Sequence, residues 1–87
     1  MSDAIDQFLA YVELELGLAH NTVLAYRADL LDFQTYCEGA GTTISAATNE
    51  TVSGYLRYMQ EDRKLAIASI LRRTACLKMF YRYRILK

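Results

Sequence analysis

The chain has 87 residues, 53% of them hydrophobic, and its ten basic and ten acidic side chains leave a formal net charge of zero. A chain this short makes one small domain that buries roughly 60–65% of its unfolded surface, and the composition is that of a folded protein, not a disordered one. Its apolar run around Leu65–Leu71 falls far short of the roughly 20 residues a membrane span needs, and the acidic opening MSDAIDQF lacks the basic start of a secretory signal, so no membrane partner and a cytoplasmic location are expected.

The first helix is predicted from about Asp3 to Leu16. Ile5, Phe8, Leu9, Val12 and Leu16 recur at the spacing of one helical face. Asp3 and Asp6 suit its positive N-terminal end, and Gly17 is a natural stop. The second helix is predicted from about Asn21 to Glu38, with Val23, Tyr26, Leu30, Phe33 and Cys37 inward and Gly39 as its stop. The loop GAGTTISAAT follows, with Ile44 expected to plug the core. Thr48 or Asn49 then caps a third helix that runs to about Glu61 and turns Val52, Tyr55, Leu56 and Met59 inward. A basic joint, Arg63–Lys64, leads into a fourth helix from about Ala66 to Arg84, with Ile70, Leu77 and Phe80 inward. Four short-looped helices without strand-like alternation give an all-α fold, a compact four-helix bundle.

The second and fourth helices share a pattern. LAHNTVLAYRADLLDF (18–33) and LAIASILRRTACLKMF (65–80) align without a gap, Leu30 with Leu77 and Phe33 with Phe80. These helices are therefore expected to start alike and to bury alike.

Catalytic signals are weak. His20 is the only histidine, which excludes a multi-histidine metal site, and no G-x-S-x-G, P-loop or G-x-G-x-x-G is present. Cys37 and Cys76 lack C-x-x-C spacing and read as reduced, partly buried thiols, with a disulfide or metal site as the alternative. Neither a cofactor nor catalysis by this chain alone is expected.

Charge is unevenly spread. Residues 1–62 carry ten acids and two bases, Arg27 and Arg57, whereas residues 63–87 carry eight bases and no acid. Such asymmetry suggests an anionic partner for the basic segment, although the two parts can also neutralise each other within the fold. Arg63 and Lys64 precede the fourth helix, Ser69 sits in its first turn, Arg72 falls opposite the Ile70–Leu77 stripe and Arg73 at its edge. That spacing suits a helix entering a major groove by its N-terminal part. A solvated basic face is the alternative.

The residues carry a resemblance. LAHNTVLAYRADLLDFQTYC resembles an L-S-x-N-T-x-x-x-Y-x-x-D-L-x-x-F run, and SILRRTACLKMFYRYRI a T-I-x-R-R-L-S-A-L-R-x-F-Y-x-Y run, of the N-terminal core-binding domain of tyrosine recombinases, the phage integrases and Xer-type recombinases. IDQFLAYVELELGL and ATNETVSGYLRYM resemble its first and third helices. All four segments occur in order over essentially the whole chain. The resemblance implies that residues 1–87 are a single SAM-like core-binding domain clamping a recombination half-site through its second and fourth helices. The DNA-facing residues it implies are Thr22, Arg27, Lys64, Ser69, Arg72, Arg73 and Lys78, with Asn21 capping the second helix. The partners it implies are double-stranded DNA, other recombinase protomers and a C-terminal catalytic domain bearing the nucleophilic tyrosine. Nothing in the chain matches that catalytic domain, and the chain ends where the linker to it would begin.

Three features depart from the family pattern. Ala19 and Ala66 stand where serine caps are usual, Lys78 stands where a second arginine is usual, and residues 1–62 are more acidic than a DNA clamp suggests. The competing expectation is a helical protein–protein module associating through acidic and basic faces. With Arg72 and Arg73 both read as DNA-facing, reversing them to Glu is expected to abolish binding and leave helicity intact. Arg82, Arg84 and Lys87 are expected to pair with the acidic helices or to lead into the missing domain.

Overall fold

Each apolar stripe becomes the inner face of a helix. A computed structural model describes residues 3–86, with α1 at Asp3–Leu14, α2 at His20–Gly39, α3 at Asn49–Glu61 and α4 at Ile67–Leu86, and no strand among the described residues. The all-α bundle is as expected. Ile5, Phe8, Leu9 and Val12 from α1, Val23, Leu30, Phe33 and Cys37 from α2, Tyr55 and Met59 from α3, and Ile70, Cys76, Leu77 and Phe80 from α4 form one buried core. Ile44 does plug it from the α2–α3 loop, and its carbonyl accepts the Tyr81 hydroxyl at 2.7 Å. Tyr26, Val52 and Leu56 are only partly buried and line the rim of the core.

Several boundaries differ from the sequence reading, each for a backbone reason. α1 stops at Leu14 and Leu16 is 46% exposed, not core. The chain turns left-handed at Gly17 (φ 69°), and the Leu18 N–H donates back to the Val12 carbonyl at 3.1 Å. This six-residue closure ends the helix and swings Leu16 outward. Ala19, extended at φ −60° and ψ 147°, is the N-cap of α2, so Asn21 lies inside the first turn and does not cap. α2 runs through Gly39 to a C-cap at Ala40, and Gly41 (φ 80°) is the left-handed stop. α3 is capped by Thr48, with Thr51 completing a reciprocal capping box. α4 starts one residue later than expected and extends to Leu86.

The pattern shared by 18–33 and 65–80 extends in space to two complete hairpins, α1–α2 and α3–α4, related by a shift of 47 residues (18 to 65, 19 to 66). Their turns carry matching hydrogen bonds. Glu15 and Asp62 donate to the carbonyls of Tyr11 and Tyr58, Leu16 and Arg63 donate to the same two carbonyls, and Leu18 and Leu65 donate to Val12 and Met59, all at 2.9–3.2 Å. Val23 and Ile70 then donate to Ala19 and Ala66 in the first helical turn. The aromatic contacts between hairpins obey the same shift. Tyr11 lies 4.8 Å from Tyr83 and Tyr58 lies 5.3 Å from Tyr36. Phe8 meets Phe80 at 5.4 Å and Tyr55 meets Phe33 at 4.9 Å. Shifting either contact by 47 residues exchanges it for its mate, the mark of an approximate two-fold relating the hairpins. α2 and α4 pack against each other as its central pair.

Candidate nucleic-acid interface

Where α2 crosses α4, the two-fold is broken by charge. Asp29 projects from the packed side of α2 and is 2% exposed. Burying a carboxylate requires a partner, and α4 supplies one. Arg72 donates from Nε and Nη2 to the two Asp29 oxygens at 3.0 and 2.9 Å. One turn along α2, Asp32 accepts from Arg63 Nη1 at 2.7 Å, from Arg73 Nη1 at 2.6 Å and from the Tyr55 hydroxyl. Arg73 Nη1 also donates to the Tyr55 oxygen at 3.2 Å, and its Nε lies 3.5 Å from Asp29. The network ties α2, α3, the α3–α4 joint and α4 together. Its three guanidiniums against two carboxylates leave one net positive charge.

The electrostatics follow from this packing. Burial pushes the Asp32 carboxyl upward, but the Tyr55 hydroxyl, the Arg63 hydrogen bonds and the charges of Arg63 and Arg73 outweigh burial and hold it below the usual aspartate range. Burial, and then the hydrogen bond to Asp32, raise the Tyr55 hydroxyl above its ordinary value. The Asp29 hydrogen bonds and charge hold the Arg72 guanidinium still more firmly protonated.

The sequence-predicted residues fall into separate settings. Arg73 is 15% exposed and engaged by Asp32, Tyr55 and Asp29, whereas Arg72 keeps 47% of its side chain exposed. Arg27 leaves this crossing altogether and reaches Asp6 of α1 at 3.3 Å. Thr22 and Ser69 are half-buried at equivalent positions in the first turns of α2 and α4. Thr22 does not replace the missing cap, since no side chain caps α2. Lys64 is exposed in the joint before α4, with left-handed backbone at φ 50°. Lys78 is exposed farther along α4, beside an apolar cavity of about 400 Å³ whose walls include Val52, Leu56, Leu77 and Tyr81.

Of the two roles expected of Arg82 and Arg84, pairing with the acidic helices is not found among the described residues. Ion pairs among the described residues involve His20, Arg27, Arg63, Arg72 and Arg73, not Arg82 or Arg84. The Arg84 guanidinium instead lies 5.9 Å from the centre of the Phe80 ring. Lys87 lies outside the described residues.

Asp29, Asp32, Tyr55 and Arg63 are the network members that the sequence reading missed. A signal existed. Asp29 sits between Tyr26 and Phe33 at spacings of three and four, so an acid shares the inward stripe of α2 and demands a basic partner from a neighbour.

Chemistry beyond binding is not evident among the described residues. Cys37 and Cys76 are buried and unpaired, and burial pushes the Cys76 thiol up to about 12, far from a reactive thiolate. His20 sits at the surface 3.3 Å from Glu13. No group of three or more His, Cys, Asp or Glu side chains is placed to hold a metal ion, and no helix is long and apolar enough to cross a membrane.

The sequence profile of the phage integrase N-terminal SAM-like domain matches residues 5–87. The chain is 37% identical over 84 residues to the tyrosine recombinase XerC of Herpetosiphon aurantiacus, covering 95% of this chain and 27% of that one. It is 36% identical over 84 residues to XerC of Myxococcus xanthus, with the same coverage. Against the tyrosine recombinase XerD of Pseudomonas aeruginosa it is 37% identical over 79 residues, covering 91% of this chain and 26% of that one. The chain thus spans about a quarter of the length of these relatives. No solved structure matches the chain significantly.

Proposed function

We propose that this chain, which belongs to the phage integrase N-terminal SAM-like domain family, binds duplex DNA as the clamping part of a site-specific tyrosine recombinase. The observation that carries this reading is the positive surface of the α3–α4 joint and α4. Lys64, Arg72, Lys78 and Arg82 are all exposed there, and no acidic residue interrupts the sequence from Arg63 onward. Of these, Lys64, Lys78 and Arg82 form no ion pair among the described residues, and cations of this kind neutralise phosphates and release counterions.

On this reading Lys64, Arg72 and Lys78 contact DNA, assisted by the hydroxyls of Ser69 and Thr22. Arg27 and Arg73 support the interface by holding α1 and α4 in place. α2 and α4 grip one half-site, other protomers occupy the rest of the recombination site, and strand transfer belongs to a catalytic domain of the parent protein. Association through acidic and basic faces is less well supported. Asp6, Asp29 and Asp32 are already spent on Arg27, Arg72, Arg63 and Arg73 within the chain.

Titrating labelled duplex at about 50 mM salt tests the proposal. Binding is expected, with the logarithm of affinity falling linearly against the logarithm of salt concentration. A folded chain that binds no duplex at that salt overturns it.

A further inference from the structure

Arg72 and Arg73 are adjacent in sequence but leave different groups available. Arg73 is 15% exposed, its Nη1 is taken by Asp32 and Tyr55, and its buried Nε has no hydrogen-bond partner. Arg72 is 47% exposed and gives only one edge of its guanidinium, Nε with Nη2, to Asp29. A guanidinium has a second two-donor edge, Nη1 with the other Nη2 hydrogen. In Arg72 that edge points away from the carboxylate. Asp29 is 2% exposed, so it cannot follow Arg72 into solvent. It fixes the plane of the guanidinium relative to the crossing of α2 and α4.

We infer that Asp29 is a positioning residue that orients Arg72 to read a guanine in the major groove, with the second edge donating to O6 and N7. The inference rests on the DNA-binding reading above. Charge and geometry favour a base over a phosphate. The Asp29 carboxylate offsets much of the Arg72 charge and repels a phosphate brought to the opposite edge, whereas the O6–N7 edge of guanine is uncharged. Phosphate contact tolerates a mobile ammonium such as Lys64 or Lys78. Reading a base edge requires a fixed pair of parallel donors, and a buried carboxylate supplies that fixity.

Duplexes selected from a randomised pool by the 87-residue chain identify its preferred site. Replacing each selected guanine in turn by 7-deazaguanine then removes N7 without disturbing base pairing. We expect one guanine whose replacement costs the wild-type chain about tenfold in affinity. Arg72→Lys, which keeps the charge Asp29 needs, should be indifferent to that replacement. Asp29→Asn should lower the guanine preference several-fold while steepening the salt dependence, because the Arg72 charge is no longer offset. If Asp29→Asn does not fold, Arg72→Lys decides, because its side chain is half-exposed.

The inference fails if Arg72→Lys keeps the wild-type preference. It fails equally if Arg72→Gln weakens all duplexes alike and lowers the salt slope by about one, the behaviour of a phosphate contact. Binding without dependence on any guanine overturns this inference alone. A wild-type chain that binds no duplex overturns the DNA-binding reading and this inference with it.

Discussion

Gly17 and Lys64 occupy the same point of two equivalent turns, and both adopt left-handed backbone, at φ 69° and 50°. The conformation is free for glycine and costs lysine about 1 kcal/mol. The first hairpin shows that the turn works with glycine. Lys64→Gly is therefore expected to raise stability by about 1 kcal/mol in urea unfolding, weaken duplex binding and lower the salt slope by about one. A variant that is more stable and binds equally well would remove Lys64 from the interface.

Ala19 holds the extended N-cap backbone of α2 and offers no side-chain acceptor. Ala19→Ser places a hydroxyl within reach of the first-turn N–H groups, and a gain of about 1 kcal/mol follows. For a domain of this size that is a rise of roughly 4–8 °C in melting temperature. An unchanged midpoint would mean that those N–H groups are already satisfied.

Arg73 is committed to the fold, which changes what charge reversal does. R72E/R73E would set two new carboxylates against Asp29 and Asp32. The expected outcome is loss of the helical circular-dichroism signal, not a folded chain that fails to bind. Arg73→Ala alone should cost about 2 kcal/mol in urea unfolding by removing charged hydrogen bonds to Asp32 and Tyr55, although Asp32 keeps Arg63 and Asp29 keeps Arg72. A loss below about 1 kcal/mol would show the network to be dispensable.

Asp32 makes stability depend on pH, and the sign follows from its depressed folded-state value. Above the ordinary aspartate value of 3.8 the carboxylate is charged in both states, and its partners favour the folded one. As pH falls below 3.8, the unfolded chain takes up the proton first and the contribution is lost by the time the folded carboxyl titrates. Urea midpoints of the wild type and Asp32→Asn should differ most near pH 7 and converge as the pH is lowered past 3.8 to where the folded carboxyl itself titrates. Curves that stay parallel down to that pH would refute the assignment.

Gly54 lies inside α3, where a methyl group would meet the Tyr36 hydroxyl at 2.7 Å and the next ring atom only at 3.8 Å. Gly54→Ala should therefore destabilise the wild-type chain. In a Tyr36→Phe background it should stabilise by about 0.5–1 kcal/mol, the ordinary helical preference for alanine. Equal effects in both backgrounds would mean that Tyr36 moves aside freely.

Much of the fold was legible because helical periodicity and left-handed stops are local properties. The stripes of Phe8 and Val12, Leu30 and Phe33, or Leu77 and Phe80 identify the buried faces without reference to any partner. The matching runs at 18–33 and 65–80 exposed half of the internal two-fold. The outer halves, Tyr11 with Tyr58 and Tyr36 with Tyr83, obey the same gapless shift of 47 residues, but few matching side chains flank them, and their ring contacts made the relation visible.

The candidate interface was legible as a list of cations but not as an arrangement. Composition and order located the basic segment after Asp62 and tied it to a family. Which arginine faces solvent depended on a long-range partner. Asp29 and Arg72 are 43 residues apart, and helical phase alone put Arg73 merely at a stripe's edge. Packing α4 across α2 drew Arg73 between Asp29 and Asp32 and left Arg72 half in water. Local sequence thus determined helices, core and net charge, whereas the role of each cation was decided by the carboxylates that the tertiary fold buried beside it, since a buried charge must be paired and an exposed one need not be.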